Sequence, residues 1–179
     1  ILVIDSASSI FGKYYAEILR TEGFNAFTVA DVSTVTPATL ANYDVAILAP
    51  TTLSATQVTT LTDWVTAGGN LIAMRPDPQL AGLLGLNPVG STLTNGYLLV
   101  NTAQAPGNCI VNQTIQFHGV ADRYSLNGAT SVALLYSNAN TSTANPAVSL
   151  RAVGSNGGQA AAFTYDLATS IVYTRQGNP

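Results

Sequence analysis

Apolar positions along the first half of the chain switch between two spacings, and the switches mark the predicted elements. Ile1 to Asp5 is an unbroken, β-branched run closing on Asp-Ser, which predicts a strand buried on both faces of a parallel sheet. Ile10, Tyr14 and Ile18, with Phe11, Tyr15 and Leu19, recur at helical spacing. They predict an amphipathic helix over 10–22, with Ser8 and Ser9 as candidate N-caps and Gly23 just past its end. Phe24 to Ala30 reads as a second strand ending in Asp31, and Pro37 to Asn42 as a short helix with proline in its first turn. Val45 to Ala49 is a third strand. Ser54 caps a helix whose Val58, Leu61, Trp64 and Val65 are expected to face inward, Gly68-Gly69 ends it, and Asn70 to Met74 is a fourth strand.

This alternation predicts right-handed βαβ crossovers and helices on both faces of a mostly parallel sheet, a flavodoxin-like three-layer α/β/α arrangement. Beyond Asp77 the pattern weakens. A short helix near 79–84 and weak strands near 97–100 and 115–118 lead to clearer strands at 132–137, 147–153 and 159–165. SNANTSTANPA and GSNGG read as turn-rich connectors, and DLATSIVYTRQGN as a closing helix with Asp166 as its cap. The expectation is one domain over 1–179 with an irregular, β-rich C-terminal third.

Composition narrows the partners. Only 8% of residues are charged, against about 25% in an average soluble protein. The net charge is −3 and Lys13 is the sole lysine, so no clustered cations are present to grip a phosphate backbone. No apolar run reaches the roughly 20 residues that span a bilayer. Nucleic acid and membrane are therefore not expected partners. One cysteine and one histidine supply no zinc set of structural spacing, and neither a metal nor another cofactor is expected. The scarcity of lysine, with abundant Thr, Asn, Ala and Gly, points to an exported, extracellular or cell-envelope bacterial protein. The chain lacks an initiator Met, begins in ILVID and stops after RQGNP, which reads as a domain of a larger polypeptide.

The block YDVAILAPTTLSATQVTTLTDWVTAGGNLIAMRPD resembles a recurring unit of the class I glutamine amidotransferase-like superfamily. In that unit Tyr-Asp, an apolar strand and Pro precede a helix of the form L-S-x-x-Q-x-x-x-L-x-x-[WY]-V, then A-G-G and another apolar strand. The block is closest to ThuA-like proteins and to the trimerisation domain of bacterial β-galactosidases. GGQAAAFTYDL resembles their penultimate strand. The resemblance covers residues 1 to about 86, and 130–167 more loosely. It implies the fold, and, for the catalytic members, a nucleophilic Cys on a strand-to-helix elbow with a later His and Glu. Here Arg75, Pro76 and Asp77 stand at the counterpart of that elbow, Cys109 lies in the turn-like APGNCIVN, and His118 is followed by Gly-Val-Ala. Amidotransferase chemistry is thus not expected.

The candidate site residues lie at the predicted carboxyl edge of the sheet, where crevices form in such folds. Asp5, Ser6, Arg75, Asp77 and Asp166 are candidate ligand-binding residues, and Arg75 and Asp77 are equally suited to pair with each other and close the strand. Within FHGVADRYSL, His118 with Asp122 matches a general-base pair, and Asp122 with Arg123 a bidentate clamp; an ADRY turn also suits a structural latch. Tyr14, Tyr15 and Tyr97 are candidates for a sugar platform, though Tyr14 and Tyr15 also fit a helix packing face. Asn112 and Asn140 head glycosylation sequons that carry no meaning in a bacterial protein. The function expected is a non-catalytic interaction, assembly or ligand-binding module, with neighbouring domains, a second copy of the chain, or a carbohydrate or other small molecule as partners. The alternative is a hydrolase with a carboxylate/His site, which requires at least three of these side chains to converge.

Overall fold

The structure, a computed structural model, describes residues 1–176. Its first elements are β1 (Leu2–Asp5), α1 (Tyr14–Thr21), β2 (Thr28–Asp31), α2 (Pro37–Leu40), β3 (Val45–Leu48), α3 (Ala55–Thr66) and β4 (Asn70–Met74). A 3-10 turn, Pro78–Leu80, then leads into α4 (Ala81–Leu84). The remainder is β5 (Leu86–Thr94), β6 (Tyr97–Val100), β7 (Ile115–Gln116), β8 (Val120–Leu126), β9 (Thr130–Asn138), β10 (Thr141–Val153), β11 (Gly158–Phe163) and α5 (Leu167–Gln176). The last residues of the predicted closing segment, Gly177 and Asn178, lie outside the described residues.

The protein is α/β, built on a nine-stranded sheet in the order β2-β1-β3-β4-β11-β10-β9-β6-β7, with β5 and β8 paired separately. The strands β2, β1, β3, β4 and β11 run parallel, and β10, β9, β6 and β7 continue the sheet in antiparallel fashion. Alternation along the parallel strands divides their apolar side chains between two packed clusters. Leu2, Ile4, Leu48, Leu71 and Ala73 pack with Leu40 of α2, Leu61 and Val65 of α3, and Leu84 of α4. Val3, Ile47 and Met74 pack with Tyr15 of α1 and Ala168 of α5. Strands β1, β3 and β4 are thereby packed on both faces, as their apolar sequence requires, whereas β2, at the sheet edge, is largely exposed.

Where the structure departs from the sequence expectation, the cause is local. The helix expected from Ile10 begins at Tyr14, because the segment before it is spent in turns; Lys13 occupies the N-cap without a side-chain bond, and neither Ser8 nor Ser9 caps it. Strand β2 starts four residues later than expected, at Thr28. By contrast α3 opens on a full capping box: Gln57 N–H donates to Ser54 Oγ at 3.3 Å and Ser54 N–H to Gln57 Oε1 at 2.8 Å.

The larger correction concerns the C-terminal third, which is regular. SNANTSTANPA is a hairpin, not a connector: Asn138 pairs with Thr141 and the chain continues as the thirteen-residue β10. Register shifts on β10 absorb Ala144, at φ +63°, and Pro146, which lets polar, Pro-containing sequence stay in the sheet. The sheet is accordingly mixed, not mostly parallel. Residues 86–94 and 120–126 are also strands, β5 and β8, so ADRY lies within a strand and is not a turn. No described helix is long and apolar enough to cross a membrane.

Candidate functional site

Strand β4 ends at Met74, and the next residue turns sharply. Arg75 sits at φ +38°, a region that costs a side-chain-bearing residue about 1–3 kcal/mol. Two features hold it there. Its backbone N–H donates to Phe163 O at 2.7 Å, and its guanidinium grips Asp122 through Nε to Oδ2 at 2.9 Å and Nη2 to Oδ1 at 3.1 Å. The hydrogen bond to Asp122 pushes the guanidinium pKa above its ordinary value against the opposing effect of burial, with the Asp122 and Asp166 charges adding to the rise. The two side chains are 37% and 32% exposed, so the pair contributes on the order of 1 kcal/mol.

Arg75 therefore pairs with Asp122 on β8, not with Asp77. This partner is out of reach of sequence, because VADRYSL, which forms β8, carries no clear strand pattern of its own. Asp77 instead ties two loops together, accepting from Gln79 N–H at 2.9 Å and from Leu53 N–H at 2.8 Å. Strand β8 lies across the carboxyl ends of β11 and β4: Asp122 N–H donates to Thr164 O at 2.9 Å, and the buried Tyr124 donates its hydroxyl to Pro76 O at 3.3 Å.

The other candidates are also engaged. Asp5 is 8% exposed and accepts from Ser6 N–H at 2.7 Å, while Ser6 Oγ bonds Ser8 Oγ at 2.8 Å. Gly12 passes so close that a Cβ there would fall 1.7 Å from Asp5 Oδ1. Asp166 accepts from Ala168 N–H at 3.1 Å, from Thr169 Oγ1 and from the Tyr15 hydroxyl, so it caps α5 and fastens it to α1. Burial, then the Asp166 charge, raises the Tyr15 pKa well above the ordinary tyrosine range. The hydroxyl remains a donor.

His118 and Asp122 make no hydrogen bond. The His118 backbone donates to Ser170 Oγ at 3.1 Å, and its Nδ1 is buried without a partner. Arg123 does not clamp Asp122 either: its Nε donates to Asn145 Oδ1 at 2.8 Å, and Asn145 in turn donates to Tyr124 O at 2.7 Å. Among the described residues no group of three or more His, Cys, Asp or Glu side chains is arranged to hold a metal ion. Cys109 is exposed in a loop. Tyr15 is buried, and Tyr14 packs at a tilt against Phe11, so the three tyrosines do not form one platform.

The larger concavities open elsewhere. A groove of about 700 Å³ runs over the sheet face beside α5, walled by Val100, Val132, Val148 and Phe163, with Ile110 and Ile171 at its sides. A second, of about 630 Å³, lies by Trp64 and Tyr43 at the amino ends of β3 and β4. Helical periodicity assigned Trp64 to the core, yet its indole is only partly buried. The available signal is its place in the last turn of the helix, three residues ahead of Ala67-Gly68-Gly69.

No protein-family model matches the sequence, and no curated protein matches it either. Solved structures do share the fold. The β-galactosidase from Rahnella sp. R3 superposes with a TM-score of 0.69 at 16% identity over 94% of this chain and 27% of that one. Exo-β-1,4-mannosidase Op5Man5 from Opitutaceae bacterium strain TAV5 gives 0.64 at 17% identity, over 90% and 27%. A ThuA-like protein from Bacteroides uniformis gives 0.66 at 10% identity, over 92% and 80%. The resemblance to ThuA-like proteins and β-galactosidase structures thus holds at the level of fold. The chain spans about a quarter of the length of the two glycosidases.

Two measurements test the geometry. If Arg75 is held against its backbone preference, Arg75→Gly and Arg75→Ala both lose the Asp122 pair, but the glycine variant is expected to be about 1 kcal/mol the more stable in urea unfolding; equal midpoints would exclude strain at the turn. Burial, then the Asp122 and Asp77 charges, pushes the Tyr124 pKa from 10.0 to about 12. The stability from this group is therefore intact below pH 10 and lost as the pH rises to about 12. Tyr124→Phe is expected to reduce the loss of stability over that interval in base titrations followed by circular dichroism. An unchanged alkaline profile would count against it.

Proposed function

We propose that this chain is a non-catalytic, amidotransferase-like domain of a larger exported bacterial protein concerned with carbohydrate, working as an interaction or assembly module. The observation that carries the non-catalytic reading is the turn after β4. The residue at its positive-φ corner is Arg75, which cannot serve as a nucleophile and is committed to Asp122 through two hydrogen bonds. An activated nucleophile needs a base within hydrogen-bond reach, and His118 makes no bond to any of the candidate carboxylates.

The flavodoxin-like part of the reading applies to the parallel half. It is supported by the order β2-β1-β3-β4 and by the helix-borne clusters on both strand faces. The link to carbohydrate is supported by the glycosidases that share the fold. Partner binding is supported by the 700 Å³ groove, whose apolar sheet face is incompletely covered and is flanked by Ile110, Val111 and Ile115, each at least 40% exposed. Apolar surface of this kind marks an interaction site, and neighbouring domains of the parent or a second copy are the natural occupants.

Purified protein is expected to hydrolyse neither glutamine nor nitrophenyl glycosides above the buffer rate; turnover lost on His118→Ala or Asp122→Asn would overturn the non-catalytic reading. For the module role, amide hydrogen exchange over residues 98–117 is expected to be slower in the longer parent polypeptide, or at concentrations where the chain self-associates, than in the dilute isolated domain. Equal protection throughout would refute it.

A further inference from the structure

The concavity at the amino ends of β3 and β4 differs in chemistry from the apolar groove. Its floor and sides combine two aromatic rings, Trp64 and Tyr43, with Asp44, Asp63, Thr60 and Asn156. Both rings are partly buried against the main core, while the two aspartates and Asn156 are exposed. The indole is fixed from behind: a Cβ on Gly69 would lie 2.3 Å from Trp64 Cε2, so only glycine allows the backbone to press against the ring. The opposite wall is fixed as well. Asn156 donates to Thr66 O at 3.3 Å, and its own carbonyl sits where a Cβ on Gly68, at φ +122°, would come within 2.9 Å.

The two carboxylates are unspent. Asp44 and Asp63 take part in neither of the ion pairs among the described residues, and no lysine or arginine lines the cavity. Two carboxylates exclude an anionic ligand, and a purely apolar one would leave them idle. A pyranose has the complementary make-up: a flat C–H face to lie on an indole, and hydroxyls around its rim that donate to carboxylates, in charge-assisted bonds, and accept from an amide N–H. A cavity of this size is also within the usual range for small-molecule sites, about 300–1,000 Å³. We propose that this cavity is a binding subsite for a neutral sugar, with Trp64 as the stacking platform and Asp44, Asp63 and Asn156 as hydroxyl partners. It names a ligand class for the carbohydrate link of the proposed function, but on a surface that the Arg75 turn and the apolar groove do not share.

Trp64 is the only tryptophan, so intrinsic emission reports on the site directly. Titration of the full chain with galacto-, manno-, cello- and xylo-oligosaccharides is expected to give a saturable change in emission with at least one of them. Asp63→Asn and Asp44→Asn, both at exposed positions, are each expected to weaken that binding about tenfold, and calorimetry on Trp64→Phe to show a comparable loss with the thermal midpoint retained. No change in emission at millimolar sugar, binding unaltered in all three variants, or a response to tetramethylammonium in place of sugars would overturn the subsite. Silence towards every sugar sinks the subsite and leaves the non-catalytic reading standing, whereas hydrolysis of a bound sugar supports the subsite and overturns that reading.

Discussion

The parallel pairing of β11 with β4 is the constraint on which the rest of the structure depends. Gln159 to Phe163 must return from the far end of the chain to lie in register with Asn70 to Met74, and only then does the sheet become continuous. On one side of this seam the strands are parallel and carry helices; on the other they are antiparallel hairpins. The seam demands unusually close approach. Gly158 starts β11 where a Cβ would lie 1.9 Å from Val65 O, and Gly154, at φ +65°, brings the preceding turn against Thr66. Such a long-range contact comes at an entropic cost, which the packing of β4 and β11 against α3 offsets: Leu71, Ala73, Ala160 and Ala162 on that face are all at most 1% exposed.

The same seam explains the conformation of Arg75. Its N–H continues the β4–β11 ladder to Phe163 O, while the next residue, Pro76, has no N–H to extend it. The chain must leave the sheet there, and the positive φ of Arg75 is the corner. The strain is offset by a neighbour that the same seam supplies, because β8 is anchored to the residues just beyond β11 through Asp122 N–H to Thr164 O and the Ala121–Tyr165 bridge. Asp122 thus arrives at Arg75 as a consequence of sheet assembly. A strained corner at a strand's carboxyl end is the geometry that catalytic elbows use; here a structural ion pair occupies it.

Legibility in the sequence followed the range of the interactions. The first four strands and α3 declare themselves through local means: unbroken apolar runs, a Ser-x-x-Gln capping box and Gly-Gly termination. Strands β5 and β8 do not. LNPVGSTLT and VADRYSL alternate poorly, contain Pro, Gly or adjacent charges, and are strands because each pairs with the other, with register shifts between Pro88 and Thr92. Context of that kind overrides propensity. Asp5, Arg75 and Asp166 stand at the carboxyl ends of β1, β4 and β11, but the bonds of Arg75 to Asp122 and of Tyr15 to Asp166 join residues 47 and 151 positions apart, beyond the reach of local pattern. Asp166 as a cap was readable because capping is local.

Helix α3 ties the two edges of the sheet together and accounts for the difference between them. At its start, the capping loop is held by Asp77 through Leu53 N–H, and the carboxyl edge beyond it is closed by β8 and by side chains that are already hydrogen-bonded to one another. At its end, the helix stops on Gly68-Gly69, and Trp64 is left partly outside the core beside Asp44 and Asp63, which join neither ion pair among the described residues. Polar groups that have spent their hydrogen bonds on the fold have little left for a ligand, whereas unspent ones held on rigid backbone are prepared for it. In this protein the carboxyl edge, where sheets of this class usually bind, has been given over to holding the sheet together, and binding capacity is displaced to the opposite end of the same helix.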